Sequence, residues 1–358
     1  RRGWRWLTIK IGMSVWVRNL FTLAASRDLY AGSPAVYVNY LDYDVAAHAF
    51  GPRSGPALRA LRHVDGAIRQ LWRVARRVPG HRYDIYIVAD HGQASCTPYR
   101  DLTEGQRLER WIFDTLLDAS RAGTPQARPQ SGLAGGMRAR RREVTGLFQH
   151  FLNYLEEDFF RRSDPEAHQQ DGVRVIAAGH NAFLYVLDVT ANLDADALEH
   201  RFPGLAAALA RSRGVGFVLA RSANGPLCFW RGKRYHLRES DPGPFAGRAD
   251  AALVVRAIAD LMMMPSAGDL VIYGIDAPTG HVSFIPELGA HAGPSPEEMH
   301  TFIVHPAEVS LPSPIRHPIQ LYDHFIRYQQ PSEERHDVPG GVRAAESIGA
   351  TAYHGPKP

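Results

Sequence analysis

Cysteine is scarce and long apolar runs are missing from this chain of 358 residues. The two cysteines, Cys96 and Cys228, are too few for a disulfide framework. No run reaches the roughly 18 apolar residues of a membrane span, because the best candidate, residues 9–25, is interrupted by Lys10 and Arg18. That stretch predicts an amphipathic helix instead. No secretion signal is visible, so the compartment stays open.

Neither sign of charge is in large excess. The chain has 41 Lys and Arg residues against 37 Asp and Glu residues, a formal net charge of +4. This small sum does not indicate a nucleic-acid-binding protein. With 45% hydrophobic and 22% charged residues, disorder of the whole chain is excluded. The 17 histidines make metal binding or acid–base chemistry a candidate function.

A strand, a helix and a second strand are predicted between residues 35 and 89. Residues 35–41 (AVYVNYL) and 83–89 (YDIYIVA) are short, apolar and rich in β-branched and aromatic side chains. Between them, apolar residues recur at helical spacing from Leu58 to Val78. Such a unit predicts parallel strands, and parallel sheets bind ligands beyond the carboxyl ends of their strands.

Strands and helices alternate over the rest of the chain, which predicts an α/β fold. Further strands are predicted at residues 173–178, 182–187, 215–221, 227–230, 270–273 and 282–285, and further helices at 102–119, 143–161, 194–211 and 249–263. Residues 121–142 are rich in Gly, Pro, Gln and Arg, which predicts a flexible linker or insertion. Residues 329–358 are polar and rich in Pro and Gly, which predicts a disordered tail after a domain of residues 1–328.

Two segments at the ends of the first two predicted strands carry residues typical of metal ligands. Asp44 and His48 are four residues apart and converge on one ion if the chain turns after the strand. Asp90 and His91 are adjacent, so they bind a metal together only if the backbone turns there, which Gly92 permits.

A third segment follows the predicted strand at 282–285. It places His291 between Gly289 and Gly293, where the glycines allow close backbone approach. Each of the three segments is a weak signal alone, and their common position after predicted strands strengthens the case for a metal site.

In this order, the segments resemble the alkaline phosphatase superfamily, in particular its type I phosphodiesterase / nucleotide pyrophosphatase branch. The matching segments are YLDYDVAAHAFGP (residues 40–52), YIVADHGQ (86–93) and ELGAHAGPS (287–295). The resemblance extends over roughly residues 27–306. It implies a three-layer α/β/α sandwich with a mostly parallel central sheet.

The resemblance also implies a ligand set for two divalent metal ions. Asp44, His48 and His291 correspond to the ligands of one ion, and Asp90 and His91 to ligands of the other. Zinc suits mixed nitrogen and oxygen ligands best, with manganese or iron as alternatives.

The family also uses a Ser or Thr nucleophile and a further Asp ligand, which precede the segment matching residues 40–48. Neither is found in this chain. Ser14 and Thr22 lie in the predicted amphipathic helix, and Ser26 precedes Asp28 in the wrong order. The expectation is that these parts lie upstream of Arg1, that the domain lacks its N-terminal part here, and that the chain alone is inactive.

Three further residues are candidates for roles around the metals. Asp42 either supports the ligands or is a solvated acid at a strand end, and His180 either lines the substrate cleft or occupies a turn. Glu287 either orients the imidazole of His291 or is a solvated loop acid.

The implied function is hydrolysis of a small-molecule phosphate ester. Monoesters, diesters, nucleotides and lipid head groups all stay open as substrates, as does the oligomeric state. Two alternatives also stay open: an inactive metal-binding or interaction module, and an isomerase related to cofactor-independent phosphoglycerate mutase.

Overall fold

The structure is a computed structural model that describes residues 2–117, 169–170, 172–326 and 328. Three predicted segments lie outside the described residues: the linker at 121–142, the helix at 143–161 and the tail at 329–358. The chain divides into two compact units, one of Arg1–Tyr83 with Ile87–Val304 and one of Asp84–Tyr86 with His305–Pro358.

The described α-helices are short, apart from those in the N-terminal region and one near the C-terminal end of the first unit. In chain order they are α1 (Arg2–Tyr30), α2 (Asp42–Phe50), α3 (Gly55–Ala75), α4 (Tyr99–Leu102), α5 (Leu108–Trp111), α6 (Ala195–Arg201), α7 (Leu205–Ala210), α8 (Ala251–Met263), α9 (Pro296–Met299) and α10 (Tyr322–Ile326). A π-helical turn (Ile112–Leu117) continues α5, and 3₁₀ turns occupy Gly243–Phe245 and Pro318–Leu321. Among the described residues, no helix is both long and apolar enough to cross a membrane.

The strands fall into one large sheet and three two-stranded pairs. In chain order they are β1 (Ile87–Val88), β2 (Ala94–Ser95), β3 (Thr97–Pro98), β4 (Gln169–Gln170), β5 (Val173–Ala178), β6 (Asn181–Val186), β7 (Phe217–Ala220), β8 (Leu227–Trp230), β9 (Lys233–His236), β10 (Leu270–Tyr273), β11 (Val282–Ser283), β12 (Gly289–Ala290) and β13 (Ile303–Val304). The small pairs are β1 with β13, β2 with β12 and β3 with β11.

The chain is mixed α/β, as predicted, but the prediction of a mostly parallel central sheet is wrong. The large sheet has seven strands in the order β4-β5-β6-β10-β7-β8-β9, and every neighbouring pair is antiparallel. The physical reason lies in the short connections. Gly179 and His180 alone join β5 to β6, and Arg231 and Gly232 alone join β8 to β9, whereas a parallel pair needs a crossover of a dozen or more residues.

The core lies on both faces of this sheet. All residues of β7 and β10 are buried, and alternate side chains along them enter two separate apolar clusters. Leu270 and Ile272 pack with Phe113 and Leu209 on one face, and Val271 packs with residues of α8 on the other. This sheet is covered on both faces, and it is the scaffold beside which the loops with the candidate metal ligands lie.

The predicted strand–helix–strand unit is confirmed only in its helix. Helix α3 covers the periodic segment, and Ser54 caps its N-terminus by accepting the Ala57 N–H. Residues 35–41 are not a strand, and residues 83–89 contain only β1, which pairs antiparallel with β13. A strand is stable only if a neighbour pairs with its backbone groups, and among the described residues none lies beside 35–41. The side chain of Tyr37 is accordingly exposed.

The second unit centres on Tyr86. Its hydroxyl contacts His324 Nε2 at 2.8 Å and the Tyr328 hydroxyl at 2.7 Å. Tyr328 in turn donates to Asp84 Oδ2 at 2.7 Å. These contacts join residues 84–86 to the segment around α10.

Candidate metal centre

Helix α2 places Asp44 and His48 on one face, one turn apart. The sequence predicted that these residues converge where the chain turns after a strand, whereas the structure brings them together through the i, i+4 spacing of a helix. His48 Nε2 lies 3.3 Å from Asp44 Oδ1. The helix ends at Gly51, which has a φ of 88° and donates its N–H to the Ala47 carbonyl.

His291 reaches the same carboxylate from the far end of the chain. It follows β12, which pairs with β2, and the preceding Leu288 N–H donates to the His48 carbonyl at 2.8 Å. These bonds fix the loop against α2. As a result, His291 Nε2 lies 3.5 Å from Asp44 Oδ1.

His91 completes a group of three. Its ring stacks on the ring of His291 with centroids 3.8 Å apart. One ligand atom from each of Asp44, His91 and His291 lies within 4.8 Å of the other two. A carboxylate oxygen and two imidazole nitrogens at this spacing can converge on a single divalent ion.

Asp90 is placed beside this group rather than in it. Its side chain is 82% exposed, and Oδ1 accepts the His91 N–H at 3.1 Å. Its Oδ2 lies 3.7 Å from His91 Nε2. The predicted division of ligands between two ions therefore stays a prediction, since the structure groups His91 with Asp44 and His291.

Glu287 lies against His48, not against His291. It is almost fully buried, which differs from a solvated loop acid, and its Oε2 lies 2.8 Å from His48 Nδ1. The Gly289 carbonyl lies at the same distance from that nitrogen. Because both neighbours are acceptors, Nδ1 carries a proton, and Nε2 faces Asp44. A carboxylate behind a ligating histidine orients the ring and raises its basicity.

Asp42 and His180 make buried contacts of their own. Asp42 forms an ion pair with Arg18 of α1, and both side chains are buried. His180 is fully buried, and its Nδ1 lies 2.8 Å from Oε1 of Glu298. Because its ring is fully buried, His180 does not line an open cleft, and its contacts are with neighbouring residues such as Glu298.

Glu298 is the residue that sequence reasoning missed. A signal was available, because Ser295 and Glu298 have the Ser-x-x-Glu spacing of a helix N-terminus. The structure shows α9 starting there, with the Ser295 N–H donating to Glu298 Oε2 at 3.3 Å.

The electrostatics favour cation binding at Asp44. Burial by itself would raise the pKa of Asp44, but the contact with His48 and the charges of His291 and His91 outweigh it and lower the pKa. Burial, reinforced by His91 and His48, lowers the pKa of His291. At neutral pH Asp44 is thus an anion and His291 a neutral ring, the states in which both bind metals.

The environment of one carboxylate oxygen of Asp44 also favours cation binding. Asp44 Oδ1 is buried and makes no hydrogen bond of good geometry, and the imidazole nitrogens of His48 and His291 lie 3.3 and 3.5 Å from it. Buried oxygen acceptors without a partner are costly. A divalent cation between Oδ1 and the imidazole nitrogens would satisfy it, so the residues present fit such an ion.

The unfolding free energy of the metal-free protein should fall as the pH rises from 6.5 to about 10. Burial opposes the charged ring of His48, but contacts with Asp44 and Glu287 outweigh it and raise the pKa from 6.5 to about 10. The folded protein therefore holds a proton that the unfolded chain releases. This stabilisation is complete below pH 6.5 and is lost as the pH approaches 10. Urea unfolding with a chelator present measures it, and a His48→Gln variant with the same pH dependence would contradict it.

Comparison with family sequence models gives a match. The sequence model of the family "Type I phosphodiesterase / nucleotide pyrophosphatase" matches residues 10–159, less than half of the chain. No curated protein and no solved structure matches the chain. The matched range contains Asp44, His48, Asp90 and His91, whereas His291 lies outside it. The family hydrolyses phosphoric esters and is in general metal-dependent. Residues 10–159 are thus similar to the type I phosphodiesterase / nucleotide pyrophosphatase family, which belongs to the alkaline phosphatase superfamily.

Proposed function

We propose that this chain supplies the metal-binding part of a phosphoric ester hydrolase of the phosphodiesterase or phosphatase type. The observation that carries the proposal is the convergence of Asp44, His91 and His291. Two of these residues lie in the range that the family model matches. The third comes from about 200 residues further along the chain and still reaches the same carboxylate.

The proposed ligand set follows the family resemblance. Asp44, His48 and His291 hold one divalent ion and Asp90 and His91 contribute to a second, with zinc favoured by the mixed nitrogen and oxygen donors. When bound, such ions polarise the phosphoryl oxygen and stabilise the attacking and leaving oxygens. The three-layer sandwich implied by the resemblance likewise stays a prediction.

The chain's own residues prepare this site in three ways. Asp44 supplies the negative charge that attracts a cation, and the histidines supply imidazole nitrogens as ligands. Glu287 fixes the ring of His48 through Nδ1, and Ser283 fixes Glu287 by donating to its Oε1 at 2.8 Å. The nucleophile remains the expected Ser or Thr hydroxyl of the family, to which we assign no residue of this chain.

The test measures metal binding and hydrolysis separately. Zn²⁺ and Mn²⁺ are titrated into the chain by equilibrium dialysis, with His63→Ala as the control because His63 is an exposed histidine of α3. Hydrolysis of bis(p-nitrophenyl) phosphate and p-nitrophenyl phosphate is then measured for the chain and for the product of the complete open reading frame. We expect the chain to bind metal in a manner that His91→Ala abolishes, and the complete product to hydrolyse one of the esters.

Two outcomes would overturn parts of the proposal. Absence of metal binding by the chain contradicts the site. Metal binding with no hydrolysis by the complete product, under either metal, contradicts the enzyme and favours the metal-binding module.

A further inference from the structure

His180 and Glu298 form a buried pair that is not part of the proposed ligand set. Their side chains are 0% and 1% exposed, and His180 Nδ1 lies 2.8 Å from Glu298 Oε1. Burial would raise the pKa of Glu298, but the hydrogen bond and charge of His180, followed by the bonds from Ser295 and Gly293, lower it. The ionised carboxylate only accepts, so Nδ1 of His180 donates.

Glu298 contacts both loops that carry the stacked histidines. Its side-chain Oε1 accepts the Gly293 N–H at 2.8 Å, two residues after His291. Its main-chain carbonyl accepts the Gly92 N–H at 2.7 Å, one residue after His91. A single residue thereby links two segments about 200 positions apart in sequence.

The close approach of Glu297 and Glu298 to the two loops requires glycine at positions 92 and 293. A Cβ on Gly92 would lie 1.9 Å from the Glu297 carbonyl oxygen, and a Cβ on Gly293 would lie 2.8 Å from Glu298 Oε2. The sequence predicted that Gly92 is needed to let the backbone turn. In the structure its φ is not positive, and glycine is needed at this position because α9 lies so close to it.

The pair is also anchored to the central sheet. His180 occupies the two-residue turn between β5 and β6, and its carbonyl accepts the Gly274 N–H at 2.8 Å. The neighbouring Asn181 donates to the Ala292 carbonyl at 2.8 Å. Ala292 has a φ of 74°, an unfavourable value for a residue with a Cβ that needs support from its surroundings.

We propose that the His180–Glu298 pair is a positioning device that sets the spacing of His91 against His291 and thereby the affinity of the metal centre. The inference rests on the proposed function, because it concerns the same ions. The ring stack at 3.8 Å forms only if both loops keep their register, and Glu298 is the residue bonded to both.

The first measurement is the Zn²⁺ dissociation constant of the whole chain, determined by competition with a chromogenic chelator. Glu298→Ala should weaken binding by about 10-fold, the lower end of the loss typical of outer contacts around a metal, because its side chain bonds the backbone beside His291 and not the ligand itself. Glu298→Gln should lose less, because its amide oxygen can still accept from His180 and Gly293 but its NH₂ group cannot accept from Ser295.

The matched control is Asp269→Asn. Asp269 is also a buried carboxylate, and it accepts the N–H groups of Val186 and Leu193, neither of which lies in a ligand-bearing segment. If losing a buried carboxylate lowered zinc affinity merely by loosening the fold, the change at Asp269 would lower it as much as the change at Glu298. Equal affinities of Glu298→Ala and the wild type, or equal losses in Glu298→Ala and Asp269→Asn, overturn the inference.

The second measurement needs no metal. Hydrogen exchange of the metal-free protein follows peptides covering residues 90–93 and 289–293. In Glu298→Ala both should exchange faster, although the lost side chain bonds only the second; in Asp269→Asn both should stay as in the wild type. Unchanged exchange at 90–93 overturns the coupling. A wild type that binds no zinc contradicts the proposed function, while the exchange data still decide the coupling; if Glu298→Ala fails to fold, Glu298→Gln is used for both measurements.

Discussion

Replacing Asp44 by alanine is expected to weaken Zn²⁺ binding by at least about 100-fold, more than the loss typical of outer contacts. Asp44 supplies the carboxylate of the three-residue group, whereas the other two members are imidazole rings, which carry no negative charge to attract a cation. Its Oδ1 is buried and faces the imidazole nitrogens of His48 and His291. Equilibrium dialysis followed by metal analysis measures the loss.

The control for this variant is Asp65→Ala on α3. Asp65 also has a cationic neighbour four residues away, Arg69 at 3.1 Å, but both side chains are well exposed. Zinc binding should be unchanged in it. If Asp44→Ala retains the zinc content of the wild type, the ion is bound elsewhere and the assignment of the centre fails.

The largest expected effect on stability is that of Asp42→Ala. The change leaves the guanidinium of Arg18 buried without its carboxylate partner, and breaking a buried pair in this way typically costs about 3–5 kcal/mol of unfolding free energy. Since Asp42 opens α2 and Arg18 belongs to α1, the loss also loosens the contact between these helices. Urea unfolding monitored by circular dichroism measures the change.

Two comparisons make this result interpretable. Asp65→Ala removes an exposed pair and should cost about 1 kcal/mol or less. The double variant Arg18→Met with Asp42→Leu removes both charges and should recover most of the stability, because a buried apolar pair has no unpaired charge. An Asp42→Ala variant no less stable than Asp65→Ala would show that Arg18 finds water or another partner.

Local sequence patterns correctly predict the helices and strands whose hydrogen-bonding partners are close in sequence. Helix α3 follows from apolar residues at helical spacing, and β5, β6, β7 and β8 follow from apolar runs separated by short turns. Strands predicted at 35–41 and 83–89 had the same composition, yet only Ile87–Val88 pairs. Composition gives a segment its preference for a strand, but pairing depends on a neighbour that the segment does not encode.

The candidate site divides in a similar way. Spacing alone makes Asp44 and His48 candidate ligands, and adjacency does the same for Asp90 and His91. The sequence suggested Glu287 as a residue that orients His291, four residues away. The structure places the Glu287 carboxylate against His48 instead, 239 positions away in sequence. Sequence proximity is a guide to contacts only inside one helix or one turn.

The sequence by itself determined the residue types of the candidate metal centre, their order along the chain and the similarity of residues 10–159 to the phosphodiesterase family. Only the tertiary structure decided that His91 stacks on His291 beside Asp44, that Arg18 balances Asp42, and that Glu298 joins the two histidine loops. The reason is physical. Ligand chemistry and helical spacing are properties of short segments, whereas contacts across about 200 residues depend on how the sheet, the helices and the loops pack around a common core.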